Sequence, residues 1–206
     1  MGLPINELEQ YLDLPIGFFH ELQSEDDWSF IVKIYSLLEA TSNALLTEEF
    51  GRSEVLDAFA NVPMGSRKAG KLAFAESLKL LSMIEIEFLE QMGWIRNKFV
   101  HNVGNTQKSL SQFIQEQTPE KRKELIKAIA GTLSRVYVNG HELSGIEYAE
   151  HNPAQAIWVT ATRVLEMMRL RIIMGKNRQQ FVAEKIREHL ATNEPIVIRD
   201  GAVELV

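Results

Sequence analysis

The chain has 206 residues, of which 45% are hydrophobic and 24% are charged, and it contains no cysteine. This composition is typical of a globular protein with one domain, and it excludes disulfides and thiolate metal sites. No apolar run approaches the ~18 residues that a membrane span needs, and the acidic N-terminus does not resemble a signal peptide, so we expect a soluble, cytoplasmic protein.

The charge is distributed unevenly along the chain, whose net charge is −6. Residues 1–60 carry −10, residues 61–140 carry +5 and residues 141–206 carry −1. The net charge argues against a protein that coats nucleic acid without specificity. The cationic middle segment favours two interpretations equally, which are complementarity between acidic and basic helices and a local phosphate-binding surface.

The first sixty residues have a helical period. We expect one helix over 6–22 and a longer helix that is capped by Ser24 or Asp26 and ends at Gly51. The apolar residues of the longer helix recur at the spacing of one helix face. They are Trp28, Ile31, Ile34, Tyr35, Leu38, Leu45 and Leu46.

Residues 61–65 contain Pro63 and Gly65 and are predicted to form a loop. Ser66 is the expected N-cap of the helix that follows. A further helix is predicted over 85–102, with a possible stop at Gly104. Its apolar stripe consists of Ile86, Leu89, Met92, Ile95, Phe99 and Val100.

Thr118 and Pro119 start another helix, with a hydroxyl cap followed by proline in the first turn. The pair Asn139-Gly140 either ends that helix or turns a small hairpin, and the pattern does not decide between them.

The pair Asn152-Pro153 opens a long helical pattern that runs to Leu190, with a possible break near Gly175. In the tail, β-branched runs flank Asp200-Gly201, which predicts a terminal hairpin. The expected fold is therefore all-α, a helical bundle over residues 1–191 with a C-terminal β-hairpin over residues 192–206.

The stretch WIRNKFVHN, residues 94–102, places Arg96, Asn97 and His101 close together on a helix that otherwise buries an apolar face. Asn97 and His101 are four residues apart and share a face, whereas Arg96 must reach around the helix to meet His101, or His101 must lie where the helix end frays. A guanidinium binds phosphate and stabilises growing charge, and an imidazole transfers protons near neutral pH. Together they suit cleavage of an RNA phosphodiester without a metal ion.

A structural role is an equally good explanation of the three side chains. Arg96 would then pair with an acidic residue of the first helices, and His101 would cap carbonyls at the helix end. The acidic surplus of residues 1–60 makes such a partner easy to find.

The order of these patterns resembles a known family. The run R-N-K-F-V-H-N is similar to the arginine-four-residues-histidine motif of HEPN domains. The two preceding helical stretches, SEDDWSFIVKIYSLLEATSNALL and SRKAGKLAFAESLKLLSMI, resemble those of one branch, the mannitol operon repressor family and its relatives. The resemblance covers about half of the chain, from Ser24 to Asn102, and the motif alone is a weak signal.

The resemblance implies a homodimeric helical bundle with its motifs facing each other. It implies a metal-independent ribonuclease of the toxin–antitoxin or defence type, with Arg96 and His101 as the catalytic pair and Asn97 as the accessory polar residue. RNA would be the substrate, and an antitoxin or regulator protein a partner. Members of the repressor branch are described as transcription regulators, so a non-catalytic regulatory module is the alternative. No cofactor is expected in either case.

Two other polar clusters have ordinary interpretations. The stretch 139–152 holds histidines and glutamates, but their spacing matches no metal motif and is typical of a polar loop between helices. The stretch 65–71 superficially resembles a phosphate loop but lacks the required residue order and a preceding strand. No metal site is predicted.

Overall fold

The computed structural model describes residues 5–65, 67–192, 196–199 and 202–205. The structure is mostly helical, which confirms the predicted helical bundle. The α-helices are α1 Ile5–Tyr11, α2 Phe18–Leu22, α3 Asp27–Phe50, α4 Leu56–Ala60, α5 Lys71–Ser77, α6 Met83–His101, α7 Leu110–Gln115, α8 Pro119–Ile129, α9 Gly145–His151 and α10 Pro153–Thr192. The strands are β1 Arg135–Val138, β2 His141–Ser144, β3 Ile196–Arg199 and β4 Ala202–Leu205.

The core lies between α3, α6 and α10, the three long helices. The helix α3 packs against both of the others, and shorter helices cover the remaining sides. The predicted apolar faces of α3 and α6 are buried, including Ile34, Leu38, Leu89 and Ile95 at 0% exposure. As predicted, α3 is capped by Asp26, whose side chain accepts from the Ser29 amide, and ends at the left-handed Gly51.

The single helix predicted over 6–22 is wrong, because two short helices replace it. Between α1 and α2 the chain adopts positive φ at Asp13 and Gly17 and contains Pro15, so a continuous helix cannot form. The buried Glu9 side chain accepts hydrogen bonds from the amides of Gly17 and Phe19. These bonds satisfy donors at the start of α2.

The helix expected to follow a cap at Ser66 begins later, at Lys71 with Gly70 as N-cap, and Ser66 lies outside the described residues. Two glycines close the preceding loop on itself. A Cβ added at Gly65 would lie 2.1 Å from the Ala69 carbonyl oxygen, and both glycines have positive φ. Loop closure therefore accounts for these glycines, which only superficially resemble those of a phosphate loop.

The second half agrees with several predictions. Thr118 caps α8 and Pro119 occupies its first turn. The open question at Asn139-Gly140 is settled in favour of a hairpin, with β1 antiparallel to β2. In the tail, β3 pairs antiparallel with β4, as expected, and the intervening turn residues lie outside the described residues.

The possible break near Gly175 does not occur, because α10 is continuous from Pro153 to Thr192. A Cβ added at Gly175 would lie 3.1 Å from Cγ of Glu48, so the glycine lets the last turns of α3 approach α10 closely. None of the described helices combines the length and apolarity needed to cross a bilayer.

Candidate functional site at the end of helix α6

The start of α6 is fixed by a capping box that the sequence pattern missed. The Ser82 hydroxyl accepts from the Glu85 amide, and the Glu85 carboxylate accepts from the Ser82 amide. Arg171 of α10 donates to both Glu85 oxygens, at 2.7 and 3.0 Å. Burial raises the pKa of Glu85, but the hydrogen bonds from Arg171 and Ser82 outweigh it and hold that pKa below its ordinary value.

The other end of α6 is anchored by side chains that bind its last carbonyls. Trp28 Nε1 of α3 donates to the Phe99 carbonyl at 3.1 Å, and Asn105 Nδ2 donates to the Lys98 carbonyl at 3.0 Å. The helix ends at His101, and Asn102 is its C-cap. The motif residues therefore stand on a helix end held from two sides.

His101 lies on the surface in a cleft of about 440 Å³ formed by the end of α6 and by α7. The side chain is exposed and makes no hydrogen bond or ion pair with any residue that the structure describes. The cleft is lined by Asn97, Lys98, His101, Asn102, Asn105, Lys108, Phe113, Glu116 and Gln117. Its one carboxylate, Glu116, is already paired with Lys108 at 2.5 Å.

Arg96 lies in a different cleft, of about 570 Å³, on the neighbouring side of the helix. Its guanidinium carbon is 5.4 Å from the centre of the Tyr35 ring, within cation–π distance. Glu39 and Glu90 line the same cleft, and Glu39 binds the buried Lys71 ammonium at 3.0 Å.

Asn97 lies between the two clefts and lines both. Its side-chain oxygen accepts from Arg96 Nη1 at 3.1 Å, so the motif's arginine and asparagine are joined directly. Arg96 and His101, which were expected to converge on one cleft, thus line separate clefts of the same chain and meet only across Asn97.

The ion pair expected from a structural role of Arg96 is not formed with any described residue. Tyr35 of α3 takes the place of the acidic partner. Burial raises the pKa of Tyr35 to about 12, Glu39 adds to the rise, and Arg96 opposes it. The phenol is therefore neutral at physiological pH, and its ring face is what holds the guanidinium.

The cationic groups near His101 are Lys98, which is inside the motif, and Lys108 and Lys121, which the sequence analysis did not associate with it. Lys108 lines the cleft directly, and Lys98 lies one turn before His101. The Nζ atoms of Lys98 and Lys121 lie 5.6 and 4.4 Å from the ring centre of Trp94. Lys108 pairs with Glu116 and Lys121 with Glu124, so Lys98 is the lysine of this group that has no ion pair with a described residue.

Sequence reasoning missed the wall of the His101 cleft that α7 supplies. A signal was present in Ser109 and Gln112, whose spacing is that of a capping box, and the structure shows both of its hydrogen bonds. Asp27 at the start of α3 also accepts from the Leu110 amide at 2.5 Å, which docks α7 beside the motif. That contact joins residues 83 positions apart, and no local pattern predicts it.

The polar stretch 139–152 folds mainly as β2 and α9. His151 Nδ1 lies 2.7 Å from the Glu147 carbonyl oxygen, and Glu147 closes a capping box with Ser144. Among the described residues, no group of three or more histidines, aspartates or glutamates could hold a metal ion.

No family model matches this chain, and neither does any curated protein or solved structure.

Proposed function

We propose that this protein is an endoribonuclease that cleaves RNA at the end of α6, with His101 as the proton-transfer group. The observation that carries the proposal is the exposure of His101 and its lack of a hydrogen-bond partner among the described residues. The imidazole also shares a cleft with Lys98 and Lys108. An imidazole that serves only packing or capping would be bound to the residues around it.

The charges of the two clefts favour the His101 cleft as the binding site of the scissile phosphate. That cleft holds Lys98, Lys108 and one carboxylate, Glu116, and since Glu116 pairs with Lys108, the charge of Lys98 is left over. In the Arg96 cleft, Glu39 pairs with Lys71 and the charge of Glu90 offsets that of Arg96, so no positive charge is left over for a phosphate. The RNA backbone would therefore cross Asn97, whose amide NH2 group can donate to a phosphate oxygen.

The reaction requires no metal ion. The RNA 2′-hydroxyl loses its proton to a base and attacks the phosphorus, and the bond to the 5′-oxygen breaks as that oxygen gains a proton from an acid. Nearby cations stabilise the charge on the phosphate oxygens. One imidazole supplies only one of the two proton transfers at a time, so a second copy of the chain would supply the other histidine and a second Arg96. The resemblance to HEPN domains supports this arrangement.

The direct test is cleavage of single-stranded RNA by the purified protein, alone and with EDTA. We expect cleavage that survives chelation and that falls about 10²-fold or more in His101→Ala. The matched control is His141→Ala, an exposed histidine on β2, which should cleave like the wild type. A wild-type protein that cuts no RNA, or a His101→Ala variant that cuts normally, would refute the proposal.

One observation favours the alternative, a non-catalytic regulatory module of the mannitol operon repressor type. Within one chain Arg96 and His101 do not share a cleft, and Arg96 lies against Tyr35 beside two carboxylates. A regulator would bind RNA, DNA or a protein through the same surface without cleaving it. Gel-shift binding in the absence of cleavage, weakened in Lys98→Ala and Lys108→Ala, would support this function.

A further inference from the structure

The Arg96 cleft contains the hydroxyl group of a buried tyrosine that has no hydrogen-bond partner. Tyr35 is 8% exposed, and its hydroxyl makes no hydrogen bond with any residue that the structure describes. The hydroxyl lies beside Gly93 of α6, where an added Cβ would be 3.7 Å from it. Since the phenol keeps its proton at physiological pH, the cleft offers one unused hydrogen-bond donor.

Glu90 supplies an unused acceptor in the same cleft. Its side chain is half-buried and forms no hydrogen bond or ion pair with a described residue. The other carboxylate of the cleft, Glu39, is bound to the buried Lys71 ammonium at 3.0 Å. Both oxygens of Glu90 can therefore accept hydrogen bonds from a ligand.

Arg96 adds a flat surface to the cleft. One side of its guanidinium lies over the Tyr35 ring, and its Nη1 edge donates to Asn97 Oδ1 at 3.1 Å. The side chain is half-buried and lines the cleft, so the side away from Tyr35 faces the open space. Bases of single-stranded RNA stack on guanidinium planes in this way. Stacking uses the face of the guanidinium and leaves its N–H edge able to donate.

We propose that the Arg96 cleft binds a guanine base of single-stranded RNA, with Glu90 accepting from its N1–H and 2-amino groups and Tyr35 donating to its O6. Guanine is the base whose Watson–Crick edge carries two adjacent donors beside an acceptor, and a carboxylate accepts from both donors at once. Adenine, cytosine and uracil each present an acceptor in place of one of these donors, which Glu90 would repel. The inference rests on the proposed function in taking RNA as the ligand, and it names the base that the site selects.

The position of the cleft on α6 suits a strand that also reaches His101. Glu90, Asn97 and His101 are spaced seven and four residues apart, which places them within about 40° of the helix circumference. Glu90 and His101 are separated by about 16 Å along the helix axis. A base at Glu90 therefore belongs to the nucleotide beside the phosphate at His101 or to the next one along.

The test measures binding separately from cleavage. Fluorescently labelled 2′-O-methyl oligonucleotides are used, because they lack the hydroxyl that attacks the phosphorus. Three strands of adenine differ at one central position, which is guanine, hypoxanthine or adenine. We expect fluorescence anisotropy to show about 10-fold or more tighter binding of the guanine strand than of the adenine strand, the value of a bidentate base contact. Hypoxanthine, which lacks the 2-amino group, should give an intermediate affinity.

The ratio of the guanine and adenine affinities is then compared among variants. In Glu90→Gln the ratio should fall to about two-fold or less, because the amide cannot accept from both guanine donors. Tyr35→Phe removes only the hydroxyl and should lower the ratio about 3-fold or more. The matched control is Glu87→Gln, which loses the same charge from α6 outside the cleft and should keep the wild-type ratio.

The outcomes separate this inference from the proposed function. A guanine preference in a protein that cuts no RNA would refute only the ribonuclease, and RNA cleavage without a guanine preference would refute only the base site. An unchanged ratio in Glu90→Gln or in Tyr35→Phe, a ratio that falls equally in Glu87→Gln, or a wild type that binds none of the strands would also overturn the inference.

Discussion

At the scale of single residues, the buried groups that bind backbone amides contribute most clearly to this fold. Glu9 is 0% exposed, and its two oxygens accept from the amides of Gly17 and Phe19, each at 2.9 Å. Together these bonds hold α2 against α1 across a turn that contains two left-handed residues. Removing the carboxylate would leave both amides without an acceptor.

We expect Glu9→Ala to lower the free energy of unfolding by about 3 kcal/mol, as two donors lose a charged acceptor. Urea denaturation followed by circular dichroism measures the change. The control is Glu21→Ala on α2, an exposed position where a change within about 0.5 kcal/mol is expected. Equal effects at the two positions would show that the Glu9 bonds do not stabilise the fold.

Arg96 is expected to behave differently, because its contacts are a ring face and an amide on its own helix. We predict that Arg96→Ala costs about 1 kcal/mol or less, the value of a partly exposed cation–π contact. Thermal melting measures it. A loss of about 3 kcal/mol, as for a broken buried ion pair, would instead show that Arg96 has a structural carboxylate partner.

At the scale of elements, the Arg171–Glu85 pair joins α10 to the first turn of α6. The Glu85 side chain is 7% exposed and that of Arg171 is 29% exposed, so water screens this pair less than the surface pairs. The same carboxylate closes the capping box with Ser82. One side chain thus caps the helix that carries the motif and ties it to the longest helix.

Arg171→Met should lower stability at neutral pH by about 2 kcal/mol. Because the folded protein holds the Glu85 pKa below 4.5, the stabilisation is complete above that value and is lost as the pH falls through the lowered pKa. The difference between wild type and variant should therefore shrink in acid. Urea titrations at several pH values measure it, and a difference independent of pH would contradict the assignment.

Lys127→Met provides the matched control. Its pair with Glu87 is 3.3 Å long, and the lysine side chain is 69% exposed. An ion pair in this setting contributes little, so the variant should unfold like the wild type at every pH.

Local signals predicted the elements that depend on local chemistry. Asp26 and Gly51 bound α3, and Thr118 caps α8, because caps act within one turn. The break between α1 and α2 was missed although Pro15 and Gly17 signal it. The division of the motif between two clefts was not predictable, since it depends on where α7 and Tyr35 pack.

At the scale of the whole molecule, the bundle architecture makes a spectroscopic prediction. Because the structure is mostly helical, the far-ultraviolet circular dichroism spectrum should be dominated by helix. The two hairpins contribute four strands of four residues each among the described residues. A spectrum dominated by strand would contradict the fold.

The packing of α3 against α10 has a consequence for synthesis on the ribosome. The apolar face of α3 is covered mainly by a helix that begins at Pro153, more than a hundred residues later in the chain. Since ribosomes add ~5–20 residues per second, the apolar face of α3 stays exposed for on the order of ten seconds before α10 is synthesised. Nascent chains that stop before α10 would expose Leu38 and Leu45 and become substrates for chaperones or proteases.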